Sequence, residues 1–199
     1  MRMVKNMEIR TRISEREQRP FGSRAAWRRW LRSNHASASG VWLQFYRKAS
    51  GRASVSYDEA VEEALCFGWI DSLVKSLDDE SYVQLFTPRK QNSAWSRLNK
   101  ERVERLIAAG LMTAAGLEKI ELARRNGSWE SLDSVEALEV PEDLRRAFAR
   151  NRKARENFEK LSPSRKKQLL YRVNGARRPE TRRKRIREVI AAAAAGRPL

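Results

Sequence analysis

The 199-residue chain carries 42 Lys and Arg against 25 Asp and Glu, a formal net charge of +17, and 41% of it is hydrophobic. That is enough for one domain of ordinary size with an appendage, and the charge points to a polyanionic partner. No apolar run is long enough to span a membrane; Cys66 is the only cysteine and His35 the only histidine, so an intramolecular disulfide, a Cys/His zinc site and a histidine-based triad are all excluded, and no metal or cofactor is expected.

Residues 1–20 are polar and basic with scattered Met, Val and Ile, and read as a flexible or edge-strand lead-in. They lack the apolar stretch of a secretion signal, so a cytoplasmic protein is the expectation. Ser23 caps a short helix to about Asn34, with Trp27, Trp30 and Leu31 inward and Arg28, Arg29 and Arg32 outward. His35 follows in a Ser/Ala/Gly loop and reads as a loop residue. Val41 to Arg47 is an aromatic-rich strand, and Ala49-Ser50-Gly51-Arg52 is a turn.

Ser56 and Glu59 form a capping box for the next helix. Tyr57, Ala60, Val61, Ala64 and Leu65 give its apolar stripe, and Asp58, Glu59, Glu62 and Glu63 its acidic outer face. Gly68 ends the helix. Two strands follow, one from Trp69 with imperfect alternation and one over Tyr82–Thr87, which Pro88 closes. With Val41–Arg47 they make a small antiparallel sheet of about three strands or more. A helix then runs from Arg97 to Ala109, with Leu98, Val103, Leu106 and Ile107 inward, and another from Ala114 to about Arg125 behind the Thr113 cap. Shorter helices are read over Glu142–Ala149 and Lys153–Lys160. Ser162-Pro163 opens a helix to about Val173, and Pro179 opens the last. The fold class is therefore α+β, organised as a lead-in over 1–20, an α+β core over 21–130 and a basic helical module over 131–199.

Two groups of residues stand out as candidate sites. The first surrounds the strand ends: Trp69, Arg89, Lys90, Trp95, Ser96 and Asn99 supply anion-binding donors beside aromatics, at the start of a helix whose N-terminus attracts anions. Asp71 lies close by and is the acid/base candidate if the site is catalytic. The same residues also admit a purely structural reading, with Arg89 paired to Asp71 or to the acidic helix and both tryptophans in the core. The second group is in the last helix, where Arg178, Arg182, Arg183, Lys184, Arg185 and Arg187 crowd the N-terminal half, the end at which the helix dipole disfavours cations. Residues 162–199 hold twelve Lys and Arg against two acids. Either the acidic helix face docks there, or an external polyanion does.

The run Glu62–Asn99 (EEALCFGWIDSLVKSLDDESYVQLFTPRKQNSAWSRLN), Arg102–Leu106, Gly110–Met112 and Leu161–Ile186 (LSPSRKKQLLYRVNGARRPETRRKRI) together resemble the YdeI/OmpD-associated family, also called bacteriocin-protection proteins. The resemblance covers roughly residues 20–192. It implies a compact α+β fold of the YjbR/CyaY-like group, an antiparallel sheet backed by helices, some of whose members bind DNA. It carries over no catalytic residue. One departure falls at Val173-Asn174-Gly175-Ala176-Arg177, where the family has isoleucine, glutamate, serine, alanine and lysine, so a carboxylate is lost. These features lead to a non-enzymatic cytoplasmic binding protein with a stress or toxin-protection role and an anionic partner, nucleic acid first. The alternatives are an enzyme that uses Asp71 with Arg89 and Lys90 on a small phosphorylated or carboxylated substrate, and an interaction module for an acidic protein.

Overall fold

The computed structural model describes residues 16–196. Residues 1–15 of the lead-in, and with them most of its expected character, lie outside the described residues. The chain forms two units. One runs to Ser93 and resumes over Leu98–Gly127; the other holds Ala94–Arg97 and continues from Ser128.

The first unit contains β1 (Gln18–Pro20), α1 (Arg24–Asn34), β2 (Val41–Tyr46), α2 (Tyr57–Cys66), β3 (Trp69–Ser76), β4 (Ser81–Pro88), α3 (Arg97–Ala108) and α4 (Ala114–Arg125). Its sheet has four strands among the described residues, in the order β1-β2-β4-β3. β2, β4 and β3 pair antiparallel, but β1 runs parallel to β2. The sheet is therefore mixed rather than antiparallel throughout. A parallel neighbour needs a crossover, and α1 supplies it.

Local chemistry accounts for the helix starts. Ser23 accepts from the Ala26 amide, Ser56 and Glu59 close a full capping box, and Thr113 accepts from the Gly116 amide. Gly68, at φ 72°, ends the turn between α2 and β3. The imperfect alternation of β3 has a cause: a bulge between Asp71 and Val74 shifts its register on β4.

Aromatic rings fill the layer between helices and sheet. The buried Trp27 stacks on Trp30 at 5.3 Å, meets Phe86 edge-on at 5.6 Å, and donates its indole N–H to the Ala60 carbonyl at 3.0 Å. Each such pair adds about 0.5–1.5 kcal/mol beyond the area it buries.

Several side-chain orientations differ from the sequence reading. Glu63 is only 2% exposed, not part of an outer acidic face. It is held between Arg24 and Arg28, each at 2.6 Å, so Arg28 turns inward to meet it. On α3, Leu98 and Ile107 are exposed, and the inward face is Asn99, Arg102, Val103 and Leu106. A partner carboxylate, Asp58, draws Arg102 into that face.

The second unit is helical: α5 (Asp133–Glu136), α6 (Glu142–Ala149), α7 (Arg152–Glu159), α8 (Pro163–Asn174) and α9 (Pro179–Ala195). Leu144, Phe148, Phe158, Leu170, Val173 and Val189 form its core, with Phe148 and Phe158 at 4.8 Å. Asn157 on α7 donates to the Ala193 carbonyl at 2.8 Å and so anchors the end of α9. Among the described residues no helix is long and apolar enough to cross a membrane.

Candidate functional site

The apolar stripe of α9 (Ile186, Val189, Ala193) packs into the second unit's core, which fixes where its cations point. Two of the six are used internally. Arg182 grips the Asp143 carboxylate of α6 with two donors, one at 2.9 Å, and also reaches the Val173 carbonyl. That pairing holds the Asp143 carboxyl below the ordinary carboxylate range and raises the guanidinium. Arg185 donates to the Arg172 carbonyl at 2.6 Å, which satisfies an orphan acceptor in the last turn of α8. The other four, Arg178, Arg183, Lys184 and Arg187, are exposed and form no ion pair with a described residue. Arg183 and Lys184 are four and three residues before Arg187, so these three share one helix face.

The acids of α2 are met within their own unit. Arg24 takes Glu62 at 3.0 Å and shares Glu63 with Arg28; Arg102 takes Asp58; Arg105 lies 3.6 Å from Glu62. Glu59 turns back onto its own cap, where the Ser56 amide and hydroxyl hold its carboxyl low.

The candidates around the strand ends divide between the two units. Trp69 is buried and donates its indole N–H to the His35 carbonyl at 3.1 Å. His35 caps α1, with Nδ1 2.9 Å from the Leu31 carbonyl. Arg89 is 4% exposed. Burial pushes its guanidinium down to about 10, against the pull of Asp71, so it stays charged at neutral pH. Lys90 is exposed and Asn99 accepts from Arg102 at 3.1 Å. Trp95 and Ser96 belong to the second unit, where Trp95 is buried against Trp129 at 5.0 Å. Both tryptophans thus answer to local packing as well as to any ligand.

Asp71 has different company. It faces the helices from β3, and its Oδ2 accepts from the Tyr57 hydroxyl at 3.0 Å and from the Gln84 amide at 2.6 Å. Burial first, and then the neighbouring Asp71 charge, pushes the Tyr57 phenol up to about 12. Tyr57, read only as part of the apolar stripe, and two further residues, Gln84 and Arg102, are missing from the sequence-derived set. A signal for the latter two existed, since each is a polar residue at an inward position, Gln84 between Val83 and Leu85 and Arg102 four residues before Leu106. Cys66 is buried, which pushes its thiol up to about 11 and leaves it unsuited to nucleophilic work.

An α+β unit with a polar cluster under its sheet, followed by a helical unit with a cationic face, is the class of protein defined here. The chain belongs to the family described as "Domain of unknown function (DUF8412)", whose model matches residues 19–119. Residues 137–196 match the model described as "Bacteriocin-protection, YdeI or OmpD-Associated". The resemblance seen in the sequence therefore holds for the C-terminal module, Leu161–Ile186 included. The run Glu62–Asn99 lies within the DUF8412 match instead. No curated protein and no solved structure matches the chain.

Proposed function

We propose that the chain binds nucleic acid non-enzymatically through the exposed face of α9, with Arg183, Lys184 and Arg187 on that face, and Arg178 at the helix N-cap, contacting backbone phosphates. The observation that carries this is the contrast within one helix: Arg182 and Arg185 are committed to internal acceptors, and the other four are not. The Glu188 charge acts on Lys184, but none of the four forms an ion pair with a described residue; such a run of exposed like charges near a helix N-terminus is unfavourable, and a polyanion relieves it. The whole of α9 also falls inside the match to the bacteriocin-protection model. On that ground we extend the proposal to a cytoplasmic stress or toxin-protection role exercised on nucleic acid.

The test is a fluorescence titration of labelled duplex DNA, single-stranded DNA and RNA across a range of salt. Four phosphate contacts give a log–log slope against salt of about −3 to −4 on duplex DNA. Absence of binding at low salt, or binding that salt does not weaken, contradicts the proposal. Retention by an acidic protein in place of all three nucleic acids would transfer the face to a protein partner.

A further inference from the structure

The face of α9 makes no use of the polar cluster around Asp71. Four elements of the first unit each contribute one side chain to it: Tyr57 from α2, Asp71 from β3, Gln84 from β4 and Arg102 from α3. Gln84 is 5% exposed and Arg102 6%. Polar groups at such positions lower stability relative to well-packed apolar ones, so packing alone does not explain their presence.

The geometry is that of an oriented carboxylate. Both internal donors, Tyr57 and Gln84, bond to Oδ2, which fixes the rotation of the group. Oδ1 accepts from no described residue. The Tyr57 proton is committed to Asp71, and Gln84 also bonds to the phenol oxygen, so Oδ1 is the acceptor the cluster leaves open. Tyr57 as a whole residue is 38% exposed, at the edge of the cluster.

This donor–acceptor balance selects the ligand chemistry. The open atom, Oδ1, is an acceptor, so the ligand supplies donors. A simple anion offers none and is repelled by Asp71. A bare cation meets the charges of Arg89, which acts on Asp71, and of Arg102, which acts on Tyr57. Neutral hydroxyl groups satisfy both conditions, and an exposed phenol ring is a suitable platform for the C–H face of a pyranose or furanose.

We propose that Asp71 and Tyr57 bind a neutral hydroxyl-rich small molecule, a sugar or polyol, with Asp71 Oδ1 accepting from its hydroxyls and the Tyr57 ring packed against it. Gln84 is a positioning residue that holds Asp71.

Saturation-transfer NMR on the full chain tests this, with D-ribose, D-glucose and myo-inositol as probes and inorganic phosphate and tetramethylammonium as counter-probes. At least one of the three polyols binds. Asp71→Asn weakens that binding about tenfold or more, the loss of a hydrogen bond to a charged group. Tyr57→Phe keeps the ring but frees the carboxylate, and weakens it about threefold. Amide spectra monitor the fold, and if Asp71→Asn unfolds, Tyr57→Phe decides alone. Binding of none of the polyols, binding of phosphate or tetramethylammonium in their place, or unchanged affinity in the folded variants overturns the proposal. Arg183→Ala/Lys184→Ala/Arg187→Ala leaves polyol binding unchanged, which separates this site from the one on α9.

Discussion

Helix α2 carries Asp58, Glu59, Glu62 and Glu63, and helix α9 carries Arg182, Arg183, Lys184, Arg185 and Arg187. In sequence the two runs look like complements. In the fold they part ways. Each acid of α2 is met inside its own unit, by arginines of α1 and α3 or by its own cap. The cations of α9 are met only in part, by Asp143 and by the Arg172 carbonyl. A charge run is therefore structural or displayed according to what distant segments bring to it, and its density alone does not decide. Arg24 and Arg28 stand more than thirty residues before Glu63, and among the described residues Arg178, Arg183, Lys184 and Arg187 form no comparable ion pair.

That contrast predicts where substitutions hurt. The largest effect falls on Glu63→Ala, which strands two guanidinium groups. It destabilises the first unit by about 3 kcal/mol in urea unfolding, the low end for a broken buried pair because Arg24 and Arg28 keep partial solvent contact. A loss below about 0.5 kcal/mol would mean that the acids of α2 are as dispensable as surface charges. Next is Gly116→Ala on α4. A Cβ there would lie 2.7 Å from the Met112 methyl and nearly on the Cys66 carbonyl, which Thr113 also engages. Backbone cannot yield as a side chain tip does, so the gain in helix propensity is outweighed and about 2 kcal/mol is lost.

Asp143→Ala comes third, at about 1 kcal/mol, because the Arg182 pair is partly exposed. It carries a pH signature. The folded Asp143 carboxyl titrates below its usual 3.8, so its contribution is complete above that value and is lost as pH falls through the lower folded one. Asp143→Asn removes that share of the acid sensitivity, as thermal unfolding between neutral and strongly acidic pH would record. Smallest is Arg183→Ala/Lys184→Ala/Arg187→Ala, which changes stability by no more than about 0.5 kcal/mol in either direction. Destabilisation well beyond that would mean these cations also serve the fold.

Much of this architecture was legible in the sequence, for local reasons. Caps at Ser23, Ser56, Thr113 and Ser162, with Pro163 and Pro179 at first turns, set the helix starts because each satisfies or removes an orphan amide on the spot. β1 was legible only as the edge-strand alternative for residues 1–20: Gln18, Arg19 and Pro20 are all exposed and show no apolar pattern, so its pairing with Trp42–Gln44 is what decides it. The inward turn of Glu63 was hidden for a similar reason, since its partners come from another helix. The cluster around Asp71 joins residues 57, 71, 84 and 102. Motif reading found Asp71 and missed the rest, because what unites them is strand register and helix packing. The face of α9 was legible as charge; the internal commitment of Arg182 and Arg185 was not.

The most direct measurement is the affinity of labelled duplex DNA for the wild-type chain and for Arg183→Ala/Lys184→Ala/Arg187→Ala, followed from low to moderate salt. The control removes three cations elsewhere, Arg29→Ala/Arg32→Ala/Lys48→Ala. A binding face on α9 predicts that the first variant loses most of its affinity and that its salt slope falls by about three contacts toward −1, while the control keeps most of both. Equal losses in the two variants would show that net charge, and not this helix, attracts the polyanion.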